Sequence, residues 1–115
     1  MVNVKEELME TLKSKNKEKK DIKCAYINYC KAIDENPDNY DEKIIVLKIN
    51  FSDEEYENFL KELDFEYDNR DDMQEFEGLV WFTDNSWLER ERSEFDGKEW
   101  WKCVEYPKIN PECLR

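Results

Sequence analysis

The stretch WFTDNSWLERERSEFDGKEWWK, residues 81 to 102, holds all four tryptophans of the chain and sets charged or polar residues among them. Large apolar side chains alternating with charged ones suit strands, whose successive side chains point to opposite faces. The Asp84-Asn85 and Asp96-Gly97 pairs cut the run into pieces of strand length. An antiparallel meander follows, one face buried and the other in water. Asp96-Gly97 is a strong hairpin signal, because both central residues of a type I′ turn need positive φ. Trp100 and Trp101 are adjacent, so a strand sends them to opposite faces. One of them is expected in the core together with Trp81, and Trp100 is the choice for the exposed partner.

A helix to cover the buried face is written into SDEEYENFLKEL. Ser52 and Glu55 have the spacing of a capping box, and Asp53, Glu54 and Glu55 place negative charge at the helix N-terminus, where the dipole favours it. Tyr56, Phe59, Leu60 and Leu63 fall on one stripe. Upstream, Val4, Leu8 and Leu12 form a narrower stripe for an N-terminal helix, which runs into the Lys-rich KSKNKEKKD, read as a linker or a frayed end. Residues 22–33, IKCAYINYCKAI, fit a helix through Ile22, Tyr26, Tyr29 and Ile33, and fit a strand through their alternation and aromatic content. The turn-rich DENPDNYDE and the plain strand KIIVLKINF after it favour the strand. DFEYD reads as a short strand, NRDDMQ as a polar loop, EFEGLVWFT as a strand, and the prolines at 107 and 111 end regular structure. The expected class is α+β: a mainly antiparallel sheet, a meander in its C-terminal half, packed by an amphipathic helix, plus an N-terminal helix. At 115 residues it is one domain, with residues 1–20 as N-terminal helix and Lys-rich segment and residues 107–115 as a tail.

Histidine is absent, which removes the usual general base and every Ser-His or Cys-His nucleophilic pair. Cys24, Cys30, Cys103 and Cys113 lack the close spacings of structural zinc sites and read as reduced thiols. Asp34, Asn36 and Asp38 begin like a calcium loop, but Asn39 stands where the glycine is needed and Ile45 where the bidentate glutamate is needed. Among thirty carboxylates, a pair such as Glu89 and Glu91 carries no specific acid/base signal. No glycine-rich phosphate loop is present. The expectation is a protein without enzymatic activity, cofactor or metal. With no apolar leader and no spanning segment, a cytoplasmic protein that touches no membrane is expected.

The formal net charge of -12 is unevenly spread: residues 1–33 carry a net +3, residues 34–77 a net -13, and residues 78–115 a net -2. Direct nucleic-acid binding is disfavoured, since phosphates would meet a negative body. The acidic middle is either a solubility device or a surface for a basic groove on a nucleic-acid-binding protein, with carboxylates standing in for phosphates. The candidates are Asp64, Glu66, Asp68, Asp71, Asp72, Glu75 and Glu77, with Asp53, Glu54, Glu57 and Glu62 beside them, and Trp100 as aromatic anchor.

From about residue 43 to the end, the chain resembles a group of small acidic proteins encoded by phages and mobile elements. The matching residues are Trp81, Asp84, Trp87, Arg90, Phe95, Asp96, Gly97, Glu99, Trp100, Trp101, Pro107, Ile109 and Glu112, against a pattern D-G-T-W-x-x-R…Y-D-G-x-E-W-W…P-x-I-P. Asp84-Asn85 stands where that turn usually carries glycine, and NRDDMQEFEG lacks the glycines common before the tryptophan strand. The resemblance implies a phage setting within a host cell. There, small acidic proteins block host defences, anti-CRISPR proteins and other DNA mimics among them, so the expected partner is a protein such as a CRISPR effector. The alternative is a structural or regulatory phage protein, acidic for solubility, as a homodimer joined through an aromatic patch.

Overall fold

The computed structural model of the protein describes residues 1–36, 38–68, 74–93, 95–105 and 111–114. In chain order its elements are β1 (Val2–Asn3), α1 (Val4–Ser14), a 3-10 turn (Lys19–Asp21), β2 (Ile22–Ala32), β3 (Tyr40–Leu47), α2 (Asp53–Glu62), β4 (Glu66–Tyr67), β5 (Gln74–Phe82), β6 (Trp87–Arg92), β7 (Glu99–Val104) and a second 3-10 turn (Pro111–Leu114). Five strands form one antiparallel sheet in the order β3-β2-β5-β6-β7, while β1 and β4 pair with each other apart from it. The class is α+β. Among the described residues no helix is long and apolar enough to cross a membrane.

The helices take the positions their stripes demand. Ser52 caps α2 by accepting the Glu55 N–H, and the Glu55 carboxylate accepts the Ser52 N–H in return. Tyr56, Phe59 and Leu63 are buried on the face this creates, as are Val4, Leu8 and Leu12 on α1. They share one core with Ala25, Ile27, Tyr29, Ile45, Leu47, Phe76, Val80, Phe82, Leu88 and Trp101 of the sheet. Both helices and the β1–β4 ribbon, through Tyr67, therefore cover a single face of the sheet.

The Lys-rich stretch is neither a linker nor a frayed end. Asn16 adopts φ 55°, Lys17 N–H donates to the Leu12 carbonyl, and Asn16 N–H donates to that of Lys13. This Schellman closure ends α1 and turns the chain back, with asparagine in the left-handed position more often held by glycine. Lys17 then meets Asp84 at 2.5 Å and the Phe82 ring at 4.9 Å, and Lys19 meets Asp53 at 2.5 Å.

Residues 22–32 form a strand, paired with β3 on one side and β5 on the other. A register shift between Ile22 and Cys24 lets Ile22, Ala25, Ile27 and Tyr29 all face the core. β5, β6 and β7 form the expected meander. Two expectations need correction. Trp81 is not a core residue: the inward positions of β5 are Gln74, Phe76, Gly78, Val80 and Phe82, so Trp81 has the opposite parity and lies half-buried on the other face, paired with Trp87. The Asp96-Gly97 turn is not type I′, because only Gly97 of the pair has positive φ (71°) and the loop closes more widely, Ser93 N–H donating to the Lys98 carbonyl.

Candidate protein-docking surface

Because every helix lies on one side, the second face of the sheet has no layer over it among the described residues. Alternation places there Glu42, Ile44 and Val46 from β3, Tyr26, Asn28 and Cys30 from β2, Glu75, Glu77, Leu79 and Trp81 from β5, Trp87, Glu89 and Glu91 from β6, and Trp100 and Lys102 from β7. Cross-strand registers order them. Cys24, Trp81, Trp87 and Val104 form one row, and Val46, Tyr26, Leu79, Glu89 and Lys102 the next. Ile44 is 52% exposed, Val46 46% and Trp100 39%, whereas Trp101 on the opposite face is 7% exposed. The adjacent tryptophans are thus divided between core and surface, and Trp100 stands where an anchor could be reached.

The sequence-derived acidic candidates are not brought onto one surface. Glu75 and Glu77 lie on the uncovered face with Trp100. Asp64, Glu66 and Asp68 are exposed around β4, on the helix side, where Asp64 accepts a hydrogen bond from Asn3 at 2.9 Å. Asp53, Glu54, Glu57 and Glu62 are exposed on α2. The cause is topological: β4 turns away to pair with β1, while β5 crosses to the middle of the sheet. Asp71 and Asp72 lie outside the described residues, as do Pro107 and Ile109 of the tail. Sequence reasoning missed Glu42, Asn28, Tyr26, Ile44 and Val46. The signal was present in KIIVL, where consecutive apolar residues supply both faces of a strand although the chain has only enough helix to cover one.

On the uncovered face, no ion pair or hydrogen bond reaches the side-chain carboxylates of Glu42, Glu75 or Glu77 among the described residues. Lys102 is paired with Glu91 at 3.4 Å, and Glu89 accepts a long hydrogen bond of 3.5 Å from Trp87. Burial pushes the Cys30 thiol pKa up, and Glu42, Glu75 and Asp41 push it further, which registers the negative field there. Among the described residues no group of three or more Cys, Asp or Glu side chains is placed to hold a metal ion.

The covered face holds a second polar cluster. Arg90 Nη1 donates to Glu7 at 2.7 Å and Nη2 to the Tyr67 hydroxyl at 2.8 Å, with the guanidinium 4.0 Å from the Phe76 ring centre. Beside it, the Tyr29 hydroxyl donates to Gln74 Oε1 at 2.9 Å, and Gln74 Nε2 donates to Glu99 at 3.2 Å. Burial raises the Glu99 pKa against the pull of Arg90 and Arg92. The Arg90 side chain and Glu99 are buried, and this cluster ties α1 and β4 to the sheet. No protein-family model, no curated protein and no solved structure matches the chain.

Proposed function

We propose that the protein is a non-enzymatic inhibitor of phage type, which docks on the basic groove of a nucleic-acid-binding host protein such as a CRISPR effector. The observation that carries this reading is the uncovered sheet face, where Glu42, Glu75 and Glu77, without an ion pair among the described residues, share a surface with exposed Trp100, Ile44 and Val46. Carboxylates at such a surface stand in for phosphates and speed encounter with a positive groove, while an aromatic anchor slows departure. The phage setting comes from the resemblance described above. The carboxylates of α2 and β4, on the other side, add long-range attraction without contact.

The test is capture from host lysate at low salt, repeated at high salt and with competing DNA. One nucleic-acid-binding protein, lost under both challenges, is the expected result. Retention that ignores salt and DNA would refute mimicry. A second reading, a homodimer, is favoured by exposed Ile44 and Val46 on edge strand β3; it predicts a concentration-dependent mass and no salt-sensitive partner.

A further inference from the structure

β3 is an edge strand, and the hydrogen bonds of the sheet fix which of its backbone groups face outward. In an antiparallel sheet, successive residues of a strand bond alternately to one neighbour and to the other. Phe82 N–H donates to the Ser86 carbonyl at 2.9 Å, so Phe82 and Val80 bond toward β6, and Leu79, Glu77 and Glu75 bond toward β2. Tyr26, Asn28 and Cys30 are their partners, which leaves Ile27, Tyr29 and Lys31 to bond Ile45, Lys43 and Asp41 of β3. Ile33 N–H, donating to the Asn39 carbonyl at 3.0 Å, keeps the same phase. Glu42, Ile44 and Val46 therefore turn their N–H and C=O groups away from β2, and no strand among the described residues takes them up.

On the uncovered face this edge reads Glu42, Ile44, Val46 and, by alternation, Lys48. Ile44 and Val46 are exposed, as are Tyr40 and Ile49 at the two ends. Neither Glu42 nor Lys48 has an ion pair among the described residues. Soluble proteins blunt an exposed apolar edge of this length unless a strand is to be added to it. The order acid, apolar, apolar, base is its own complement when read antiparallel. A second β3 running the other way and centred on Ile45 sets Glu42 opposite Lys48 and Ile44 opposite Val46, and the twofold repeats both pairs. On the covered face it sets Ile45 opposite Ile45 and Lys43 opposite Leu47, so no like charges stand opposite each other. Centring on Ile44 would leave Glu42 against Val46, and centring on Lys43 or Glu42 would set that charge against its own copy. We infer, resting on the homodimer of the second reading above, that a second copy of this chain adds to the β3 edge in this register, so that two five-stranded sheets run on as one. A twofold normal to the sheet puts both helical layers on one side and joins the two uncovered faces. Glu75 and Glu77, on β5, stay outside the contact.

Sedimentation equilibrium of the full chain at concentrations up to about 1 mM tests the pairing. Wild type should rise from 14.1 kDa toward twice that mass. Glu42→Lys and Lys48→Glu each set two like-charge pairs across the twofold, and each should weaken the dimer about tenfold or more. An equimolar mixture of the two variants should recover it, because each then meets opposite charges on the other. The double variant Glu42→Lys/Lys48→Glu should recover it alone. Ile44→Pro removes an N–H that points outward and spares the bonds to β2, so it should abolish the dimer in a chain with the circular dichroism of wild type. A dimer untouched by both charge reversals overturns the edge pairing and leaves a homodimer through another surface standing. Loss in both, with no recovery in the mixture or the double variant, overturns the register. The mass of a single copy at every concentration overturns the pairing and the second reading together. Should Ile44→Pro fail to fold, the mixture of the two reversals decides.

Discussion

Replacing Arg90 by methionine removes the cation that joins α1, β4 and the sheet. Its side chain is 4% exposed, 2.7 Å from Glu7 and 2.8 Å from the Tyr67 hydroxyl, so the substitution strips two charge-assisted hydrogen bonds. Breaking a buried pair from one side costs about 3–5 kcal/mol, because the remaining charge is left uncompensated. Here the Glu7 side chain is 18% exposed and can draw in water, which puts the expected loss near the low end, about 3 kcal/mol. With a shift of about 4–8 °C per kcal/mol for a domain near this size, Tm should fall by at least about 12 °C. The double variant Glu7→Leu/Arg90→Met removes both charges and fills the space with apolar atoms. It should recover only part of the loss, staying about 1–3 kcal/mol below wild type. Apolar replacement of a buried pair is often neutral, but the buried Tyr67 hydroxyl, which donates to Glu7 and accepts from Arg90, loses both partners. Among the described residues Arg90 Nε has no acceptor, so wild type is itself imperfectly satisfied and the recovery is favoured further. Urea unfolding of wild type, both single variants and the double variant closes the cycle. Additive losses, leaving the double variant as unstable as the sum of the singles, would refute the coupling.

Other consequences follow from the same geometry. A Cβ on Gly78 would stand 2.8 Å from Trp101 Cη2 and 3.3 Å from Ile27 Cγ1; with Trp101 held by Phe76 and Arg90, Gly78→Ala should cost about 1–3 kcal/mol by denaturant unfolding despite the better strand propensity of alanine. Glu99 has a folded pKa above its ordinary value of 4.5, so the folded state holds its proton more tightly, and this group favours folding at low pH and disfavours it as pH rises through the folded pKa. Glu99→Gln, which resembles the protonated form, should therefore be more stable than wild type at pH 7, and the gap should shrink as pH falls toward 4.5; a gap that grows on acidification would contradict this. Trp101→Ala should cost about 3–5 kcal/mol, while Trp100→Ala should leave stability within about 1 kcal/mol and weaken partner binding.

The elements legible in the sequence are those specified locally. α2 carries its cap, its dipole charges and its stripe within twelve residues, so no tertiary information is needed to place it. Parity is a different matter. Gly78 occupies an inward position of β5 and hides the alternation that would have sent Trp81 outward. Arg90 sits in LERER, which looks solvent-facing, yet it shares parity with fully buried Leu88 and is carried into the core. That inversion was available from Leu88 alone, as was the inward placement of Glu99 from its spacing to Trp101. The acidic middle looked like one surface because its residues are close along the chain. What separates Asp64, Glu66 and Asp68 from Glu75 and Glu77 is that β4 pairs with β1, a strand only two residues long, which sequence pattern does not announce. Glu42, Asn28 and Glu77 meet through the registers of three strands, and pairing of that range is invisible to local periodicity.

The most direct test of the account is carboxyl footprinting of the protein alone and in complex with the partner captured from lysate. Carbodiimide-driven labelling of Glu42, Glu75 and Glu77 should be strongly suppressed in the complex, while Glu54, Glu57 and Glu62 on α2 label as before. Undiminished labelling of the sheet-face carboxylates, with protection confined to α2, would contradict the claim that the uncovered face is where the partner sits.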